Sequence, residues 1–153
     1  MDQINSIKEI SMDGFQVVSG SMFRHRTQLT SPTATIWPDY IGFNKNALLS
    51  LNNCERVRIE VNTAKRCILV VPVTESDRDG IRWAKNTQIP AQRKMWCEAF
   101  AAQLYDIWKL DSQMAYKATG KPVSADGKIM LLFDFSNPDC WMIHKKEKKE
   151  DGK

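Results

Sequence analysis

The sequence predicts an α+β fold: a mostly antiparallel sheet built from two helix-plus-β-hairpin units, with one main amphipathic helix packed on it. Three observations lead there. "ERVRIEV" (55–61) alternates strictly, with Val57, Ile59 and Val61 on one face and Arg56, Arg58 and Glu60 on the other. The turn "NTAK" then returns it as the apolar "RCILVVPV", a hairpin with one buried face. "KMWCEAFAAQLYDIWKL" (94–110) sets Trp96, Phe100, Leu104, Ile107 and Trp108 along one stripe with no internal Gly or Pro, which predicts the main helix.

The remaining elements follow in chain order. Ile4 to Ile10 suggests a short helix, and "GFQVVSGSMF" alternates into a strand with Phe15 and Val17 on one face. "RHRTQLTSP" is a polar connection. "TATIWP" is a second strand, ended by Pro38, which cannot donate to a ladder. Gly42 permits a turn, and Asn44 is a good N-cap for a short helix from Lys45 to Leu51, closed by Asn52-Asn53. Residues 74–93 read as a linker in which Ile81 and Trp83 form an apolar hook on the body. After the main helix, Met114, Tyr116 and Ala118 alternate, "SADG" turns, and "KIMLLFDF" returns as a buried strand. The expected organisation is a single α+β domain over 1–143, with a first unit at about 14–73 and a second at about 94–143. A charged tail covers 144–153.

Composition bounds the function. The longest apolar runs are strand-length, far below the ~20 residues of a membrane span. The first 15 residues hold acids where a secretory leader needs bases, so the expected compartment is cytoplasmic, with no membrane partner. Cys54, Cys67, Cys97 and Cys140 form no C-x-x-C pair, and His25 and His144 lie far apart, so no metal or cofactor site is expected. No nucleophile elbow, phosphate loop or H-E-x-x-H motif is present, so the chain reads as a non-enzyme without catalytic residues.

The net charge is +4, but residues 97–143 carry four basic and six acidic groups, so positive charge gathers elsewhere. Arg24, Arg26, Arg56, Arg58, Lys65 and Arg66 are the candidate phosphate contacts for DNA or RNA, set beside or on predicted strands and a hairpin tip. The alternative for each is an ordinary solvated surface. Of five tryptophans, Trp96 and Trp108 belong to the helix stripe and are expected in the core. Trp37, Trp83 and Trp141 lie at strand ends or loops, where tryptophan serves as a packing hook or a binding anchor. A patch of Trp37, Tyr40 and Trp83 is the candidate site for a protein partner such as a host factor.

"GFQVVSGSMF", "TIWPDYIGFNKNALLSLNNCERVRIEVNTAKRCILVVPV", "IRW" and the closing helix with "KIMLLFDF" resemble a family of small uncharacterised proteins of gut Firmicutes, their phages and integrative elements. The resemblance spans roughly residues 14–143. It implies a mobile-element or accessory role and brings no catalytic residues. The order strand, proline, helix, strand, strand over 33–73 is also similar to the swapped-hairpin transcription regulators of the antitoxin and transition-state type. That likeness implies a homodimer that binds DNA through basic residues on strands and loops. There the helix follows the proline almost at once, whereas here "DYIGFN" intervenes.

Overall fold

The computed structural model describes residues 7–20 and 31–144. Among them nine strands form one sheet: β1 (Thr33–Ile36), β2 (Tyr40–Phe43), β3 (Arg56–Asn62), β4 (Cys67–Pro72), β5 (Ile81–Arg82), β6 (Arg93–Trp96), β7 (Met114–Ala125), β8 (Lys128–Asp134) and β9 (Asp139–Met142). Two helices accompany them, α1 (Lys45–Ser50) and α2 (Glu98–Ile107). Every pairing is antiparallel, in the order β5-β3-β4-β8-β7-β1-β2-β6, with β9 on β7.

This overturns the α+β expectation. The helices are 6 and 10 residues long and sit on a sheet whose strands hold far more of the described residues than the helices do. Nor is the sheet two repeated units: β1 and β2 pair with β7 and β6, away from the β3–β4 hairpin that they precede. The main helix is also shorter than its stripe suggested. Arg93–Trp96 pair with β2 instead, and Cys97, at φ −151°, is the N-cap that separates strand from helix. Trp96 is therefore 71% exposed on a strand, and Ile107 is exposed on the helix, while Leu104 and Trp108 are buried as expected. Residues 14–20 form no strand, and 7–10 no helix; residues 4–6 and 21–23 of those expectations lie outside the described residues. The expected linker contributes β5 and the first residue of β6.

The two long hairpins form where the sequence placed them. Val57 pairs with Pro72 and Asn62 with Cys67, and at the tip Arg66 takes φ +55° while the Asn62 side chain accepts from the Lys65 N–H. Ala125 pairs with Lys128 across Asp126-Gly127, both at positive φ, which suits the twist of a two-residue hairpin. β7 is the spine. Its first half pairs with β1 on one flank and β9 on the other, and its second half pairs with β8.

The sheet curls on itself. Phe43 of β2 meets Phe133 of β8, ring centroids 5.6 Å apart, and Trp83 packs edge-on against Phe43 at 4.7 Å. Ile36, Val57, Ile68, Val70 and Leu131 complete a fully buried interior. Curling brings the two terminal strands, β5 and β6, together. They share no backbone ladder. Arg93 closes the seam instead, donating from Nε to the Trp83 carbonyl at 3.1 Å and from Nη2 to the Arg82 carbonyl at 3.3 Å. Helix α2 packs across the interior through Ala101, Leu104 and Tyr105, and Trp108 behind it donates from Nε1 to the Thr63 carbonyl. Helix α1 is capped as expected: Asn44 Oδ1 accepts from the N–H of Ala47 and also from that of Thr33, both at 2.9 Å.

Candidate functional site

Strand register decides what the outer face of the sheet displays. Ala34, Ile36, Ile41, Phe43 and Ala118 share the inward parity and are buried. The opposite parity pairs Thr35 with Gly42 and Lys117, Gly42 with Lys94, Tyr40 with Trp96, and Ala115 with Trp141. The outward face therefore carries Trp141, Lys117, Tyr40, Lys94 and Trp96 across five adjacent strands. That is four inter-strand spacings, or roughly 19 Å.

Trp37 joins this row from the β1–β2 turn. Its N–H donates to the Tyr40 carbonyl at 2.9 Å, closing a four-residue turn with Pro38 at the second position, where a fixed φ fits. Its ring folds back over Gly42, and a Cβ on that glycine would stand 3.0 Å from Trp37 Cζ3. The role of Gly42 is thus to make room in a strand; it does not turn the chain. Trp37 stacks on Tyr40 at 4.4 Å and 18°, meets Trp141 edge-on at 6.4 Å, and Tyr40 tilts against Trp96 at 5.1 Å. Lys94 Nζ lies 4.0 Å from the Tyr40 ring centre and 5.6 Å from that of Trp96. Lys117 Nζ lies 6.0 Å from that of Trp141. The result is four linked rings with two ammonium groups over them, partly open to solvent.

Hollows flank the platform. One of about 300 Å³ is lined by Thr33, Thr35, Trp37, Gly42 and Lys94. A broader one of about 980 Å³ lies between Trp37 and Trp141, with Asp39, Glu98 and His144 on its walls. Among the described residues, no three His, Cys, Asp or Glu side chains come together as a metal ion would need. A third hollow, of about 570 Å³, opens at the β5–β6 seam, floored by Ile41, Ile59, Ile81, Met95 and Phe100 and rimmed by Arg82, Lys85, Arg93 and Lys94. Burial, and then the nearby Arg82 charge, hold the Arg93 guanidinium below its ordinary pKa.

The candidate residues from sequence fare differently. Trp37 and Tyr40 sit at the centre of the platform. Trp83 is 0% exposed and packs on Phe43, so it is the core hook and offers no surface. Arg24 and Arg26 lie outside the described residues. Arg56 and Arg58 lie on the other half of the sheet, where both clasp the 74–80 loop. Arg56 Nη2 donates to the Gly80 carbonyl, and Arg58 pairs with Asp77 and with Glu60. The Arg58 guanidinium is taken up by its two acids, whereas Arg56 is half-buried and held by the single Gly80 carbonyl. Lys65 and Arg66 stand at the β3–β4 tip, and the Arg66 carbonyl accepts from the Phe135 N–H. Sequence reasoning assigned no role in the site to Lys94, Trp96 or Lys117. The spacing of Lys94 and Trp96, two apart, is the signal that a strand reading would have used.

The cysteines are all free. Burial raises the thiols of Cys54, Cys67 and Cys97, which keeps them protonated and poorly nucleophilic. No helix among the described residues is long and apolar enough to cross a membrane. No protein-family model, curated protein or solved structure matches the chain.

Proposed function

We propose that the chain is a nucleic-acid-binding module, not an enzyme, and that it takes single-stranded DNA or RNA on the outer face of its sheet. The observation that carries this is the row of Trp37, Tyr40, Trp96 and Trp141 with Lys94 and Lys117 among the rings. A packing role accounts poorly for Trp96, which is 71% exposed. Bases stack on exposed aromatic faces at about 1–3 kcal/mol each, without regard to sequence, and lysines beside the rings meet the phosphates between them. A duplex, whose bases are already stacked, gains nothing from such a surface. The arginines Arg56 and Arg58, expected to hold phosphates, are secondary in this reading because acids and a carbonyl already occupy them.

The test is titration of the protein with a short oligothymidylate, the matching oligouridylate and a duplex at low salt, reading tryptophan fluorescence. Trp37, Trp96 and Trp141 report, while Trp83 and Trp108 are shielded in the core. The expected result is quenching by the single strands, weakening as salt rises. Trp96→Ala should lower affinity about tenfold, since loss of one stacked base is worth ~1–3 kcal/mol, and Lys94→Ala should weaken binding and flatten its salt dependence. Absence of binding at low salt, or equal affinity for the duplex, overturns the reading.

A further inference from the structure

Among the described residues, 7–20 form an N-terminal arm whose apolar side chains are exposed. Ile7, Ile10, Met12, Phe15, Val17 and Val18 are all exposed, Val17 at 98%. An exposed apolar set of this size marks an interaction surface. Around its apolar residues the arm carries Glu9 and Asp13 against a single base, Lys8. Within it "FQVV" (15–18) puts Phe15 and Val17 on one side of an extended chain.

The β5–β6 seam has the complementary features. β6 is the last strand in the sheet order, so among the described residues one edge of it is unpaired. Cys97 N–H donates to the Asp39 carbonyl, and antiparallel alternation then turns Met95 toward β2 and leaves the backbone of Lys94 and Trp96 at the outer edge, where the Lys94 carbonyl accepts from Arg93 Nη1, a bond that an added strand replaces. Across the seam β5 covers only Arg56 and Val57 of β3, so among the described residues β3 beyond them is also unpaired on that flank. Between these edges lies the 570 Å³ hollow with its aliphatic floor. Four cations and no acid line it, and none of the four is in an ion pair, since the ion pairs among the described residues all involve Arg58.

We propose that this seam accepts the N-terminal arm of a second copy of the chain, residues Phe15–Val18 adding as a strand to the free edge of β6. Phe15 and Val17 drop onto Ile41, Ile59, Ile81 and Met95, and Glu9 and Asp13 meet the cationic rim. Strand addition satisfies the edge groups that a soluble sheet must otherwise hide. Reciprocal exchange of two arms closes a two-fold dimer and stops further growth. The inserted strand lies in the plane of the sheet, so the outer aromatic face stays open. The proposal stands apart from the nucleic-acid reading.

Sedimentation velocity of the full chain over a dilution series tests it, with Phe15→Asp/Val17→Asp as the variant. Both side chains are exposed, so the variant keeps its fold, which circular dichroism checks. The wild type should pass from monomer to dimer with concentration, and the variant should associate at least about tenfold more weakly. Hydrogen exchange at the Lys94 and Trp96 amides should be slow in the wild-type dimer and fast in the variant. A wild type that is monomeric throughout overturns the proposal, including one whose own arm protects its own seam. A dimer that survives the double substitution overturns it as well.

Discussion

Tyr105 is buried where α2 crosses the sheet, and its hydroxyl faces two backbone carbonyls, Met114 at 2.6 Å and Ile36 at 3.1 Å. A phenol has one hydrogen, so it serves one carbonyl at a time, and both favour the protonated form. Burial, more than the neighbouring Tyr116, raises the Tyr105 pKa well above the ordinary phenol value. The sign of the linkage follows. Once pH exceeds ~10 the unfolded chain releases this proton and the folded chain keeps it, so folding loses stability as pH rises. Below that pH the group contributes no slope. Tyr105→Phe should cost about 1 kcal/mol at neutral pH through the lost hydrogen bond. Above pH ~10 the gap between variant and wild type should narrow, because the variant has no such proton to lose. Denaturant unfolding of both proteins across neutral and alkaline pH measures this. Parallel stability curves would rule out Tyr105 as the source.

At the scale of elements, β7 joins the two halves of the sheet, and Gly120 sits where its partners change from β1 and β9 to β8. The fully buried Phe133 ring lies directly over Gly120, and an added Cβ would fall 2.6 Å from Phe133 Cε1. Gly120→Ala must therefore push an aromatic ring out of a packed core, at about 1–3 kcal/mol. Gly127→Ala meets no atom within 4 Å and acts only through its φ of +76°, so it is the control for backbone effects. A Gly120→Ala protein with unchanged thermal stability would show that Phe133 yields freely. This junction also explains what was legible in the sequence. The β3–β4 and β7–β8 hairpins were readable because their strands are long enough for alternation to show, and Asp126-Gly127 marks its turn. β5, β6 and β9 have two to four residues, too few to establish a period, and "IR", "RKMW" and "DCWM" mix charge with apolar residues. They are strands because neighbours distant in sequence supply edges for them. The false extension of the helix came from a coincidence: Trp96 stands four before Phe100, so a strand residue joined the helical stripe by spacing alone. That one misreading sent Trp96 to the core and hid Trp96 and Lys94 from the platform. Trp37 and Tyr40 were found because they flank a proline turn, a local feature. Trp141 reaches them only through the pairing of β9 with β7.

For the molecule as a whole, the curled sheet is closed by aromatic packing inside and, at the β5–β6 seam, by the Arg93 side chain. Seven ladders join consecutive strands from β5 round to β6, and between those two the join is the Arg93 guanidinium. Its third contact, Nη1 to the Lys94 carbonyl at 3.0 Å, holds it against its own strand edge. Three charged N–H groups on three carbonyls should be worth more than one neutral hydrogen bond, but the group is partly open to water, which reduces the gain. The expected cost of Arg93→Ala is about 1–2 kcal/mol in denaturant unfolding. How the loss is distributed distinguishes a clasp from an ordinary surface bond. Curling is also held by Phe43 on Phe133 and Trp83 on Phe43, which the substitution does not touch, so β3, β4, β7 and β8 should keep their exchange protection. β5 and β6 should lose theirs first, opening as a local unit before the rest unfolds. Amide exchange under native conditions separates the outcomes. Faster exchange confined to residues 81–84 and to the Arg93 and Met95 amides, which face β2, is the expected pattern. Acceleration spread evenly over all strands would mean that Arg93 supports the whole core, and no change at all would mean that the aromatic contacts close the sheet unaided.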